Sequence, residues 1–376
     1  MALIYDGTSG ITFNDGTQIG SASQMGIRNR IINGNMVIDQ RAAGGSFTPT
    51  STGGRTYGTC DRWGTYISVA SKFTIQQNAG SVTPPPNFTN YLGITSNSAY
   101  SITSTDLNLL QQPIEAYNFG DFGFGTSNAK SVTLSFWVYS SLTGTFGGTL
   151  TNYTNSRVYA FSYTINSANT WQYVTITIPG DTGGGSAWLG SSNSVGAYLN
   201  FQIAVGSSYC VSSGSWTAAS GNSWGTTGAT NITSVNGATW YVTGVQLDKG
   251  SVATPFDLRL YGKELLLCQR YYQQLIANGL LCVTGGSNIT NGTVYLPVTM
   301  RAAPTITGDT LNRMTNFGFT DYSGTYTFSS NNQSPNICSV KYTAASSSPW
   351  GSTVGIPTSI NDSVGASKYL YMTSEL

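Results

Sequence analysis

Residues 131–140, SVTLSFWVYS, alternate along their length: Val132, Leu134, Phe136 and Val138 fall on one side of an extended chain, Thr133, Ser135, Trp137 and Tyr139 on the other. A period of two marks a strand with one face in a core. RVYAFSYT (157–164), WQYVTITI (171–178), YLNFQIAV (198–205) and TWYVTGVQL (239–247) repeat it, separated by loops of Gly, Ser, Thr and Asn. No helical period interrupts residues 28–258. Strands with one apolar face need a second sheet to cover them, so residues 28–258 are predicted to form an antiparallel jelly-roll β-sandwich. GTVYLPVTMRAAPTITG (292–308) alternates again and predicts a smaller β-domain over residues 279–376, making the chain all-β apart from one helix.

That helix is expected at 259–278, joining the two domains. ATPFDLRLYGKELLLCQRYYQ (253–273) is dense in good helix formers, with Asp257 placed to cap and Gly279 to terminate. About 18 residues of helix would be roughly 27 Å long. Its apolar side chains run nearly all the way round, so it needs cover on several sides. Leu260, Leu267, Tyr271 and Tyr272 are therefore candidate contacts with copies of the chain around an axis. The alternative is a helix that plugs the sandwich edge within one subunit. Residues 1–27 carry Asp6-Gly7 and Asp15-Gly16 turns around a short strand and too few apolar residues to fold alone, which predicts an attachment segment.

Charged residues are only 8% of the chain, 16 basic against 15 acidic, so no field favours nucleic acid or an anionic membrane. Histidine is absent, which excludes Ser-His-Asp and Cys-His nucleophilic sites and histidine-ligated metals. The cysteines, Cys60, Cys210, Cys268, Cys282 and Cys338, form no CxxC pair and are odd in number, so reduced and mostly buried thiols made in a cytoplasm are expected. No basic segment followed by an apolar run opens the chain, and no apolar run reaches 18 residues. No cofactor, metal, signal peptide or membrane insertion is expected, although a structural calcium stays open.

Several stretches carry a family likeness: NRIINGNMVIDQR (29–41), YGTCDRWGTY (57–66), LQQPIE (110–115), VTLSFWVYS (132–140), WQYVTITIPG (171–180), and above all VTGVQLDKGSVATPFDLRLYGKELLLCQRYYQ (242–273). They resemble phage tail-fibre and related virion appendage proteins with a carbohydrate-binding-module-like jelly roll. The resemblance runs over about residues 28–275, and LPVTMRAAPT (296–305) extends it. It implies a tail fibre or receptor-binding appendage, an oligomer and usually a trimer, that adheres to host cell-surface carbohydrate without catalysis. Such a protein is located in the virion, is synthesised in the host cytoplasm, and would meet other virion proteins through residues 1–27.

Sugars are held by aromatic rings against their C–H faces and by amides on their hydroxyls. The alternation nominates Trp137, Tyr139, Tyr159, Tyr163, Trp171, Tyr173, Asn200 and Gln202. Half-buried outer faces and subunit contacts use the same residue types, which keeps open a purely structural virion component such as a collar, baseplate or head decoration. Trp188, Trp216 and Trp224 sit in glycine- and serine-rich loops. Glu115 and Asp181 are the acids a polysaccharide depolymerase would need, but nothing in the sequence pairs them, and Glu115 is expected to bond Arg62 or Arg157.

Overall fold

The structure is a computed structural model that describes residues 28–188, 192–219, 222–276, 281–286, 289–309, 311–316, 321–344, 357–360 and 368–376, with three short strands nearer the start. Those strands, β1 (Ile4–Asp6), β2 (Gly10–Thr12) and β3 (Gln18–Ile19), pair antiparallel in chain order. Asp6 is the last residue of β1; the rest of the expected Asp6-Gly7 and Asp15-Gly16 turns lies outside the described residues. The chain divides into two compact units, Met1–Leu260 and Tyr261–Leu376.

The first unit is an antiparallel jelly-roll sandwich. Its larger sheet runs β15 (Trp216–Ala218), β11 (Arg157–Ile165), β10 (Gly144–Asn152), β13 (Val195–Val205), β8 (Leu107–Glu115), β5 (Gly64–Ile67), β4 (Arg55–Thr56). The smaller runs β12 (Gln172–Ile178), β9 (Val132–Ser140), β17 (Thr239–Lys249), β7 (Leu92–Ser96), β6 (Phe73–Gln77). From β8 onward the chain crosses repeatedly between them, with β10 and β11 as a same-sheet hairpin. The residues predicted inward from β9, Val132, Leu134, Phe136 and Val138, are all fully buried. They pack with Leu150, Phe161, Leu199 and Phe201 of the facing sheet. Two short parallel strands, β14 (Cys210–Val211) and β16 (Gly225–Thr226), belong to a segment lying over the outer face of the larger sheet. The Thr226 hydroxyl donates to the carbonyls of Gly148 and Phe161 there.

The long motif at 242–259 is a lock rather than the start of a helix. Asn29 donates through Nδ2 to the Val245 carbonyl (3.0 Å) and accepts the Leu247 amide on Oδ1 (3.1 Å). Arg259 reaches back to the carbonyls of Ile31 and Asn29. Gln246 donates to Asp248 (2.8 Å) and accepts the Asp257 amide (2.6 Å), and Asp257 in turn receives the Asn29 amide. The entry and exit of the sandwich are stitched together by side chains that bond backbone groups of both. Gly34 is required here, because a Cβ would sit 2.1 Å from the Val245 carbonyl oxygen.

The helix corrects the sequence expectation. α1 spans Tyr261–Gln269, nine residues, and belongs to the second unit rather than forming a separate element over 259–278. Asp257 bonds Asn29 instead of capping it. Tyr271 closes the last turn onto Cys268 (2.9 Å), and residues 272–276 become strand β18, paired with β26 (Tyr369–Thr373). Helix propensity is a weak prior, and the ladder and the buried Tyr271 ring override it. Glu264 and Cys268, one turn apart, form the buried stripe, whereas Leu266 is exposed and Leu267 half-buried. Of the four oligomer candidates, Leu260 is 83% exposed, while Tyr271 (0%) and Tyr272 (7%) are buried.

In that unit β26 lies between β18 and β21 (Thr305–Gly308). The other strands, β19 (Leu281–Gly286), β20 (Ile289–Tyr295), β22 (Leu311–Asn316), β23 (Asp321–Gln333), β24 (Ile337–Ala344) and β25 (Pro357–Ile360), close into a barrel. Val294, Leu296 and Met300 enter its core, with Cys338, Val340, Tyr342 and Leu370. Tyr271→Ala is expected to destabilise the second unit by about 3–5 kcal/mol in urea unfolding through the cavity it leaves. Leu266→Ala at the surface is expected to stay within about 0.5 kcal/mol.

Candidate functional sites on the two outer sheet faces

Because β12, β9 and β17 are in register, their outward residues line up in rows across the smaller sheet. Tyr173 lies opposite Trp137, and Tyr139 opposite Tyr241. Neighbouring strands stand about 4.8 Å apart, so rings in a row must touch. Trp137 and Tyr173 meet at 5.3 Å with planes tilted 47°. Tyr139 stacks on Tyr241 at 5.3 Å and meets Trp171 at 5.5 Å. The sequence-nominated Trp137, Tyr139, Trp171 and Tyr173 therefore form one strip. Tyr173 is the most open at 44%, the other three being half-buried.

One end of the strip is roofed by the chain between β6 and β7. Asn78, Gly80 and Ser81 turn it with positive φ, a conformation Asn and Gly tolerate best. The Trp171 indole donates to the Thr83 carbonyl (2.8 Å), and the Tyr91 hydroxyl donates to that of Ala79 (2.6 Å). Gly93 is needed opposite Tyr241, since a Cβ would lie 2.6 Å from the Ala79 methyl. Burial pushes the Tyr91 and Tyr241 phenols up, so both stay neutral across the physiological range. The roof fixes Trp171 and leaves Tyr173 open. Thr175 and Thr177, exposed on the same face, add hydroxyls.

Tyr159 and Tyr163, nominated with these, are not available to a ligand. β11 presents Tyr159, Phe161, Tyr163 and Ile165 inward, where they join the core. Tyr163 is 7% exposed, its phenol is raised by burial, and its hydroxyl accepts the Trp240 indole at 3.0 Å. Asn200 and Gln202 do point outward from β13, but on the larger sheet, remote in the fold from the strip, and both are buried beneath the 206–231 segment. Gln202 accepts the Thr226 amide at 2.7 Å and borders a hollow of about 360 Å³.

The larger sheet carries a second feature that alternation alone did not reveal. Arg55 donates from Nε to Gln111 Oε1 (2.6 Å), and Gln111 donates to Asn200 Oδ1 (2.5 Å). Asn200 passes the relay to the Thr149 hydroxyl (2.8 Å), which donates to the Trp224 carbonyl (3.4 Å). An arginine has no acceptor, so it dictates the orientation of both amides downstream. Beside this relay Arg55, Tyr66, Tyr198 and Trp224 border a cleft of about 100 Å³ floored by Leu107 and Leu109. Every residue of β8 is buried, one face by the core and part of the other by the chain's own insertion. This masks its period in the sequence. The outward parity of Tyr198 and the tryptophan in the inserted loop were the available signals.

Of the loop tryptophans, Trp188 is in the core, stacked on Phe119 at 5.4 Å, and Trp216 packs against it; Trp224 alone of the three borders the cleft. Asp181 is enclosed by partners: Arg157 binds both oxygens (2.8 and 2.5 Å), joined by the Trp188 indole (2.9 Å) and the Gly183 amide (3.1 Å). Burial alone would raise this carboxyl, but these donors hold it below its usual value. Arg157 is thus engaged by Asp181 rather than Glu115, which is itself 2% exposed. All five cysteines are free thiols. Among the described residues no three His, Cys, Asp or Glu cluster as metal ligands, and no helix is long and apolar enough to cross a membrane.

No protein-family profile and no curated protein sequence matches the chain. Among solved structures it is similar to a tailspike protein 4 enzymatically active domain of bacteriophage CBA120, at 12% identity and a TM-score of 0.29 over 50% of this chain and 19% of that one. It therefore spans about a fifth of that tailspike domain. It is also similar to a putative sugar binding protein from Bacteroides thetaiotaomicron (13% identity, 59% and 100% covered, TM-score 0.33). A third is a family 11 carbohydrate-binding module from Clostridium thermocellum in complex with a mixed-linked tetrasaccharide (13%, 57% and 100%, 0.27). At these TM-scores the likenesses carry no argument, and function is inferred from this chain's own residues.

The Arg157–Asp181 pair has a pH signature. A carboxyl depressed in the fold contributes stability above its unfolded value of about 4 and loses it as pH falls through the folded value. Asp181→Asn is expected to be about 3 kcal/mol less stable at neutral pH, because it leaves the guanidinium partly buried without its anion. That gap should narrow between about pH 5 and pH 2 in denaturant unfolding.

Proposed function

We propose that this chain is a phage virion structural protein, a tail fibre or receptor-binding appendage, that adheres to host surface glycans without catalysis. The observation that carries this is the strip of Trp137, Tyr139, Trp171 and Tyr173 on a rigid sheet face, with ring faces half-open and exposed threonines beside them. Aromatic rings on adjacent strands offer C–H stacking to successive sugar units, and hydroxyls supply directional bonds at little cost in solubility. The strip contains no ionised side chain, which suits neutral saccharides. The long sequence likeness to virion appendages supports the viral context.

A homotrimer in the virion, held to other virion proteins through residues 1–27, would multiply weak single-site affinities into tight attachment. The exposed Leu260 and Leu266 support self-association, because large apolar side chains gain by being covered. The same exposure favours a second reading, in which the protein is purely structural and the aromatic strip is a subunit contact. A depolymerase using Asp181 is disfavoured, since its oxygens already accept bonds from Arg157, Trp188 and Gly183.

Binding of the purified protein to host cells and to a glycan array provides the test. Trp137→Ala and Tyr173→Ala, with melting temperatures unchanged, are each expected to weaken binding about tenfold per site. Wild-type binding by both variants would remove the strip from the function. Binding to other virion proteins with none to host cells would favour the purely structural reading.

A further inference from the structure

Gln202 leaves β13 on the outer face of the larger sheet and is only 3% exposed. Its Oε1 accepts the Thr226 amide at 2.7 Å, and an oxygen fixed in this way turns the NH2 group of the same amide in the other direction. Among the described residues that nitrogen donates to no protein group, and Gln202 borders the hollow of about 360 Å³. The anchored side is tight: at Gly225 a Cβ would lie 2.8 Å from Gln202 Oε1. Thr226 is itself tied to the sheet at Gly148 and Phe161, so the donor is held in place before any ligand arrives. Asn231 borders the same hollow. It directly precedes the single turn Ile232–Ser234, a position where Asn commonly caps, but its side chain makes no cap bond and its enclosed oxygen has no partner. An enclosed acceptor without a donor is costly, so a ligand N–H that reaches it gains more than it would in water.

The lining is neutral. Its described residues include no carboxylate, lysine or arginine, and burial pushes the Cys210 thiol up, so it stays protonated. Ile102, Val205 and Ala229 supply apolar surface, and Thr103, Ser104 and Thr227 bring hydroxyls at exposed positions. One fixed donor, one unpaired acceptor and a few aliphatic groups match the C=O, N–H and methyl of an acetamide. The volume is at the small end of the roughly 300–1,000 Å³ usual for small-molecule sites, which suits one sugar unit and no run of them. We propose that this hollow is a second binding site, for a neutral sugar unit carrying an acetamido group. Gln202 Nε2 would donate to the acetamido carbonyl and Asn231 would accept its N–H, with the methyl against the aliphatic side chains. The preset donor leaves little side-chain entropy to be lost on binding. The site lies on the other face of the sandwich from the aromatic strip and stands independently of it.

The test uses N-acetylglucosamine and glucose as probes of the full-length protein, followed by ligand-observed NMR. N-acetylglucosamine is expected to bind at least about tenfold more tightly than glucose, with its acetyl methyl receiving the strongest saturation and no weakening as salt is raised. Gln202→Glu keeps the oxygen that holds Thr226 and removes the donor, and should bring N-acetylglucosamine down to the level of glucose. Asn231→Ala removes a side chain that makes no bond in the fold, so it should weaken N-acetylglucosamine in the same direction at an unchanged melting temperature. Equal binding of the two sugars, or binding of neither, would overturn the proposal. So would either variant, at unchanged melting temperature, binding N-acetylglucosamine like the wild type. Host-cell attachment is not the readout and both variants leave the strip intact, so failure here and failure of the strip are seen separately.

Discussion

A strand that commits alternate side chains to a core leaves no freedom to the others, and this parity governs the whole first unit. Once Val132, Leu134, Phe136 and Val138 are sealed against the facing sheet, Trp137 and Tyr139 must emerge together on the outside. Register then decides which rings become neighbours. Antiparallel pairing of β12 with β9 and of β9 with β17 turns separate stretches of sequence into one aromatic row.

The same rule shows why some residues were legible and others were not. On β9 the inner set (Val132, Leu134, Phe136, Val138) carries no polar group, while every outer residue (Thr133, Ser135, Trp137, Tyr139) carries one, so the pattern identifies its own faces. On β11 the inner set is Tyr159, Phe161 and Tyr163, and the outer set Val158, Ala160, Ser162 and Thr164. Tyrosine reads as a surface residue, yet bulk wins the interior here because the Trp240 indole satisfies the Tyr163 hydroxyl. The segment at 253–276 carried mixed signals for a related reason. Its polar residues up to Arg259 serve the lock with Asn29, its centre forms a short helix, and its end, Tyr272–Ile276, joins a strand register set by residues about a hundred positions later. Local propensity does not contain that partner.

The two outer faces are finished in opposite ways. The smaller sheet keeps its strip partly open, roofed only where the Asn78–Ser81 turn brings the following loop onto Tyr91 and Trp171. The larger sheet is covered in part by residues 206–219 and 222–231, whose backbone takes the place of solvent at Thr149 and Gln202. Buried amides there are tolerable because each named bond in the relay satisfies a group that water would otherwise need to reach. One sandwich thus presents a neutral, ring-rich surface on one side and a narrow recess with a fixed cation on the other.

The lock between residues 29–34 and 245–259 has a mechanical consequence. Both termini of the sandwich leave through one small knot, where Asn29, Gln246, Asp257 and Arg259 bind backbone groups from each end. Tension drawn between the two ends is borne by those few crossing bonds. The layered interior behind them, with its ring array and recess, stays out of the load path.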